Sequence, residues 1–187
     1  AQASGTAALI LALRAMGISK SDELILPTYV CQSVLEAVLS VGARVILCDV
    51  NEKGVVTNET VQPLINNKTR AIIAVHIFGN PCDISQLKRL KIPIIEDACQ
   101  AFGLLVSGKK AGTLGDVGIL SFHATKCLTS GEGGMLLTNS HRVASRARKL
   151  AEGSRIPTSR SVAPISDIQA ALGIAQLERY SEFITKR

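Results

Sequence analysis

The sequence predicts an α/β fold, a mainly parallel sheet sandwiched between helices. Two observations carry this. Short aliphatic runs of strand length alternate with segments of helical apolar spacing. That βαβα order implies parallel strands with helices covering both faces of the sheet. The composition agrees, with 47% hydrophobic and 19% charged residues in a chain of 187, enough for one domain with a sizeable core.

The elements follow in order. "ALILALRAMG" (8–17) has helical spacing and stops at Gly17. "ELILP" (23–27) is a short buried strand, "SVLEAVLSVG" (33–42) a helix and "RVILCDV" (44–50) a strand. "TNETVQPLI" (57–65) opens with half of a capping box, since Thr60 stands where Glu is usual opposite Thr57. "RAIIAVHIFG" (70–79) predicts a long strand, "DISQLKRL" (83–90) a helix and "IPIIEDA" (92–98) a strand. Dense glycines from Gly103 to Gly118 predict a loop or hairpin. Two strands follow, "GDVGILSFH" and "GGMLLTN", then a helix over 140–152 and a loop rich in Ser, Arg and Pro. A final helix is expected over 165–187, with Ile168, Ala171, Leu172, Ala175 and Leu177 as its apolar residues and a basic end.

Bulk properties exclude several classes. Aromatics are 3% and Trp is absent, so small aliphatics must fill the core. No apolar run reaches the ~18 residues of a membrane span, and no signal peptide is visible. The five cysteines are odd in number and widely spaced, which predicts reduced thiols in a cytoplasmic protein. With three histidines and no CxxC pair, no metal site is expected. Net charge is +6, much of it in residues 141–160, which reads either as a solvated helix face or as attraction for an anionic ligand. The basic run has no interleaved aromatics, so nucleic acid is not an expected partner. The chain begins at "AQASGTAAL" without Met, and upstream residues are expected to be missing.

Three short stretches carry chemistry. In "SGTAAL" (4–9), Ser4, Gly5 and Thr6 open a helix, where free N–H groups and a partial positive charge suit a phosphate; Ser or Thr there also serves simply as a cap. In "IPIIEDACQAFG" (92–103), apolar positions lead into Glu96 and Asp97. Ligands lie beyond the carboxyl ends of parallel strands, so one of these acids should face a site; the other reading is a buried acid bonded to backbone amides. Gln100 follows three residues later. In "SFHATKCLTSGEGGM" (121–135), Lys126 sits between two strand-like runs beside Gly131, Gly133 and Gly134, with Ser121 at a strand end. A lysine in a partly dry pocket can form a Schiff base, whereas an ordinary loop lysine would sit in a salt bridge. Phosphate cradle, acid and lysine are together what pyridoxal 5'-phosphate requires. Its pyridinium–carboxylate pair is worth about 4 kcal/mol at contact for an effective dielectric of about 20.

With these stretches, "VHIFGNPCDI" and "SDIQAALGIAQLER", the chain closely resembles the DegT/DnrJ/EryC1/StrS family of pyridoxal phosphate-dependent sugar aminotransferases. The resemblance spans nearly the whole chain. It implies an aspartate aminotransferase-like large domain over 1–187, without the family's N-terminal segment and C-terminal small domain. It implies Lys126 as Schiff-base lysine and proton shuttle, Asp97 on the pyridine nitrogen and Gln100 near the ring 3-oxygen. Gly5, Thr6 and Ser121 would hold the phosphate. The implied substrates are an amino-acid donor, typically glutamate, and a nucleotide-linked keto-sugar, in amino-sugar and cell-surface polysaccharide biosynthesis. The implied assembly is a homodimer. Related dehydratases carry histidine in place of the lysine, so Lys126 favours transamination.

Two residues depart from the family pattern. In "PTYVCQSV" (27–34), Cys31 takes the position where an aromatic often covers the cofactor ring. In "VAPISD" (162–167), Val162 stands where an asparagine often reaches the partner subunit's phosphate. Two other readings stay open: a truncated, non-catalytic homologue with a binding or regulatory role, and another enzyme of the same fold such as a desulfurase.

Overall fold

The computed structural model describes residues 1–153 and 163–186. Helix α1 (Gly5–Met16) comes first; Ser4 caps it by accepting the Ala7 N–H, and Gly17 ends it in the left-handed region at φ 86°. Then follow β1 (Glu23–Pro27), α2 (Gln32–Ser40), β2 (Arg44–Cys48), α3 (Asn58–Val61), β3 (Thr69–Val75), α4 (Ile84–Leu87) and β4 (Ile94–Asp97). A small hairpin, β5 (Leu105–Val106) and β6 (Lys109–Lys110), precedes β7 (Val117–Ser121) and β8 (Gly134–Leu137). Helices α5 (His141–Gly153), α6 (Asp167–Glu178) and α7 (Tyr180–Thr185) complete the order.

The main sheet has six strands in the order β2-β1-β3-β4-β7-β8. The pairs from β2 through β7 are parallel, and β8 joins β7 antiparallel. The expected mainly parallel α/β architecture is what forms. Strands inside such a sheet are covered on both faces, which is why their residues are aliphatic at successive positions. Leu24, Ile25, Leu26, Ile72, Ile73, Ile94 and Ile95 are all fully buried. Each contributes on the order of 1.5–3 kcal/mol relative to leaving it in water.

Several boundaries differ from the sequence reading. The long strand expected over 70–79 ends at Val75, because His76 turns its ring into the core and residues Ile77–Gly79 form a 3-10 turn with Phe78 at φ 51°. The helices expected over 57–65 and 83–90 are each one α-turn followed by a 3-10 turn. The capping box of α3 is complete after all: Thr57 accepts from Thr60 N–H, and the Thr60 hydroxyl oxygen accepts from Thr57 N–H as a Glu would. The final helix divides at Arg179 (φ −97°, ψ 4°) into α6 and α7. The break lets Tyr180 donate its hydroxyl to the Phe102 carbonyl at 2.7 Å and pack edge-on against the Phe102 ring. No residue of α6 is buried, and Ile168 is 84% exposed. Val162 and the end of the basic 141–160 run lie outside the described residues.

Candidate active site

A cavity of about 520 Å³ opens at the carboxyl ends of β1, β3, β4 and β7. Its walls include Gly5, Thr6, Cys31, Asp97, Gln100, Ser121 and Lys126, so all seven residues singled out in the sequence meet there. They come from four separate stretches, and the parallel sheet brings them together because its strands all end on that side.

The neighbouring acids Glu96 and Asp97 separate cleanly. Side chains alternate along β4, so only one can face the cavity. That one is Asp97, whose Oδ1 accepts the Cys99 N–H at 2.9 Å. Glu96 is fully buried elsewhere. Its Oε1 accepts from Gly112 N–H at 2.7 Å and lies 2.8 Å from His76 Nε2, and its Oε2 accepts the Leu114 and Gly115 N–H groups, both at 2.7 Å. His76 Nδ1 accepts the Cys82 N–H at 3.0 Å, which leaves the imidazole proton on Nε2, pointing at Glu96. Burial raises the Glu96 pKa, but the donations from His76 and the three amides outweigh it and hold the carboxyl below its usual range. Both readings of this acid pair from the sequence are therefore realised, one in each residue.

The amino terminus of α1 forms another wall. Ser4 spends its hydroxyl on the cap at 3.1 Å, while Gly5 and Thr6 line the cavity. A Cβ on Gly5 would stand 3.0 Å from Ser121 Cβ, so glycine allows the helix start to lie against the end of β7. A Cβ on Gly134 would come within 2.3 Å of the Ser4 carbonyl oxygen, so this glycine allows a close backbone approach at the start of β8.

Gln100 lines the cavity, and its Oε1 accepts the Phe78 N–H at 2.9 Å, pinning the strained turn after β3. Cys31 is exposed and its Sγ accepts the Ser33 hydroxyl at 3.2 Å. Lys126 is half-buried, and among the described residues it makes no side-chain ion pair, unlike an ordinary loop lysine. Burial pushes the Cys99 thiol well up, with Asp97 adding to the shift and Lys126 opposing it, so acid and lysine both act at one point of the cavity wall. Cys99, His123, Thr125 and Glu132 also line the cavity and were not singled out in the sequence. His123, Thr125 and Glu132 all fall in the stretch around Lys126, which was the available signal. Among the described residues no cluster of three or more metal-ligating side chains occurs, and no helix is long and apolar enough to cross a membrane.

The mainly parallel sheet flanked by helices is the α/β fold of solved sugar aminotransferases. The chain belongs to the DegT/DnrJ/EryC1/StrS aminotransferase family, whose model matches residues 1–187. It is 37% identical to a GDP-perosamine synthase of Vibrio cholerae over 97% of this chain and 53% of that protein. Its structure is similar to that of DesI solved in the presence of its TDP-sugar product, with a TM-score of 0.86 and 30% identity over 97% of this chain and 48% of that one. A sugar-aminotransferase neighbour from Streptococcus pneumoniae, at TM-score 0.87 and 27% identity over 97% of this chain and 55% of that one, is solved in PLP form. The chain thus spans about half the length of the curated relatives it matches.

Proposed function

We propose that this chain is the cofactor-binding large domain of a pyridoxal phosphate-dependent sugar aminotransferase. The reaction moves an amino group from an amino acid, with glutamate as the expected donor, to a nucleotide-linked keto-sugar used in amino-sugar and cell-surface polysaccharide biosynthesis. The observation that carries this is the meeting of Lys126, Asp97 and the amino terminus of α1 in one cavity. Its volume, about 520 Å³, falls within the range of small-molecule sites.

The residues fit the cofactor part by part. The Gly5 and Thr6 amides and the Ser121 hydroxyl suit a phosphate at a helix amino terminus. Asp97 suits the pyridine nitrogen, where a carboxylate holds the ring proton in place. Gln100 has its oxygen committed to Phe78, which leaves its amide N–H groups for the ring 3-oxygen. Cys31 takes the place of a covering aromatic with a smaller, polarizable surface. Pyridoxal phosphate supplies an electron sink for the carbanion left when the substrate Cα loses its proton. Lys126 would hold the cofactor through its Nζ, and the same amine would hold and move that proton.

A homodimer and a cytoplasmic setting belong to the same reading. The exposed aliphatics of α6 support the first, and five free cysteines support the second. The test is an amino-transfer assay on the full-length protein with glutamate and a panel of nucleotide keto-sugars. Formation of 2-oxoglutarate with a matching amino-sugar is the expected result. No transfer to any sugar, with no change in the cofactor spectrum on adding amino acids, would overturn the reading.

A further inference from the structure

The proposed reaction gives Asp97 and Lys126 their work. Two other chargeable groups on the cavity wall, His123 and Glu132, are left without any. His123 Nε2 lies 3.4 Å from Glu132 Oε1, and both side chains are about half exposed, at 45% and 52%. The other ring nitrogen is committed: the Thr125 N–H donates to His123 Nδ1 at 3.3 Å, with the Thr125 hydroxyl 2.9 Å away. A neutral His123 therefore carries its proton on Nε2, the atom facing Glu132. The Lys126 N–H donates to the His123 carbonyl at 2.9 Å, so imidazole and lysine rise from a single turn.

The amino donor constrains what lies near that turn. Its carboxylate is attached to the carbon whose proton Lys126 takes, so it cannot be far from Lys126. A carboxylate entering a partly dry cavity needs an N–H donor, best a charged one. Among the described wall residues, once Lys126 is committed to the cofactor, His123 is the remaining side chain able to become a cation. The Glu132 contact is longer than a good N–H···O bond and is exposed, so it holds little energy and exchanges readily.

We propose that His123 Nε2 receives the carboxylate of the amino donor, and that Glu132 holds that position until the donor displaces it. His123 is thus a specificity-determining residue for the donor half of the reaction. This rests on the aminotransferase reading.

The experiment uses the full-length, cofactor-loaded protein. Calorimetry measures binding of maleate, an unreactive dicarboxylate, and of inorganic pyrophosphate, while kinetics give separate KM values for glutamate and the nucleotide keto-sugar. H123A should weaken maleate binding and raise the glutamate KM by about tenfold or more, the loss of one charge-assisted hydrogen bond, and H123Q should recover part of it. E132Q should leave maleate binding unchanged or tighten it, because a competitor is removed. The keto-sugar KM should stay within about twofold in all three variants, the scale of a contact not made. An unchanged maleate affinity in H123A overturns the proposal. So does an E132Q loss equal to that of H123A, which would make the pair a structural brace and is readable even if H123A does not fold. A loss confined to pyrophosphate and keto-sugar would place a phosphate there instead, and also overturns it. His123-dependent maleate binding in a protein that transfers no amino group would sink the aminotransferase reading while leaving this site in place.

Discussion

Replacing Glu96 by Gln isolates the buried carboxylate from its cavity-facing neighbour. Four donors converge on the two oxygens of Glu96: His76 Nε2 and Gly112 N–H on one, Leu114 and Gly115 N–H on the other. A glutamine must turn its NH₂ toward one of those pairs, and either choice leaves two buried donors facing a donor. His76 cannot relieve this by moving its proton to Nδ1, because that nitrogen already accepts the Cys82 N–H. Two stranded donors at about 1–3 kcal/mol each, with charge assistance also lost, give a destabilisation of about 3–5 kcal/mol. That is roughly 6–20 °C in melting temperature for a chain of this size. The contribution also has a pH signature. The folded-state pKa of Glu96 is depressed, so its stabilisation is fully present above the unfolded value and is lost as pH falls through the folded one. The gap between wild type and E96Q should therefore be constant from neutrality down to about pH 5 and close in stronger acid. Urea unfolding followed by circular dichroism, with and without added pyridoxal phosphate, measures it. The companion D97N should unfold within about 1 kcal/mol of wild type, as a change outside the core network, yet lose amino transfer far more than cofactor binding. An E96Q protein as stable as wild type, or a D97N protein with normal turnover, would refute the division of roles between the two acids.

Supplying the purified protein with pyridoxal phosphate should produce a visible absorbance band, and borohydride should fix the cofactor to Lys126; peptide mapping to any other lysine defeats the assignment. With dithionitrobenzoate at pH 8, exposed Cys31 should react fast and be slowed by the cofactor. Cys82, whose thiol is pushed up to about 12, first by burial and then by Asp83, Glu96 and Cys48, should react only on unfolding. Sedimentation should find a dimer that an Ile168→Asp change weakens, since Ile168 is 84% exposed; a monomer at micromolar concentration, with cofactor bound and activity intact, would sink the dimer claim.

Much of this was legible from local patterns. Burial periodicity and glycine punctuation are properties of neighbouring residues, so β1 was read with its observed ends, 23–27, and α1 with its stop at Gly17. The motifs carrying Lys126, Asp97 and Ser121 are likewise contiguous, and the resemblance they support extends over the whole chain. Failures came where a distant partner decides. Nothing near His76 in sequence says that its ring will turn inward to Glu96, twenty residues on, and end β3 early. Tyr180 breaks the last helix because the Phe102 carbonyl lies within its reach, 78 residues back along the chain. Which of Glu96 and Asp97 faces the cavity follows from strand alternation only once the sheet fixes a register and the loop after β6 brings three amides to Glu96. The placement of His123 against Glu132, across the turn that carries Lys126, also had to await the folded chain. The sequence by itself determined most of the elements and the residue types that gather at the cavity, because propensity, hydrophobic period and residue type act locally. Only the tertiary structure decided which polar groups are buried together and which face the cavity, because hydrogen bonds and desolvation depend on distance in space.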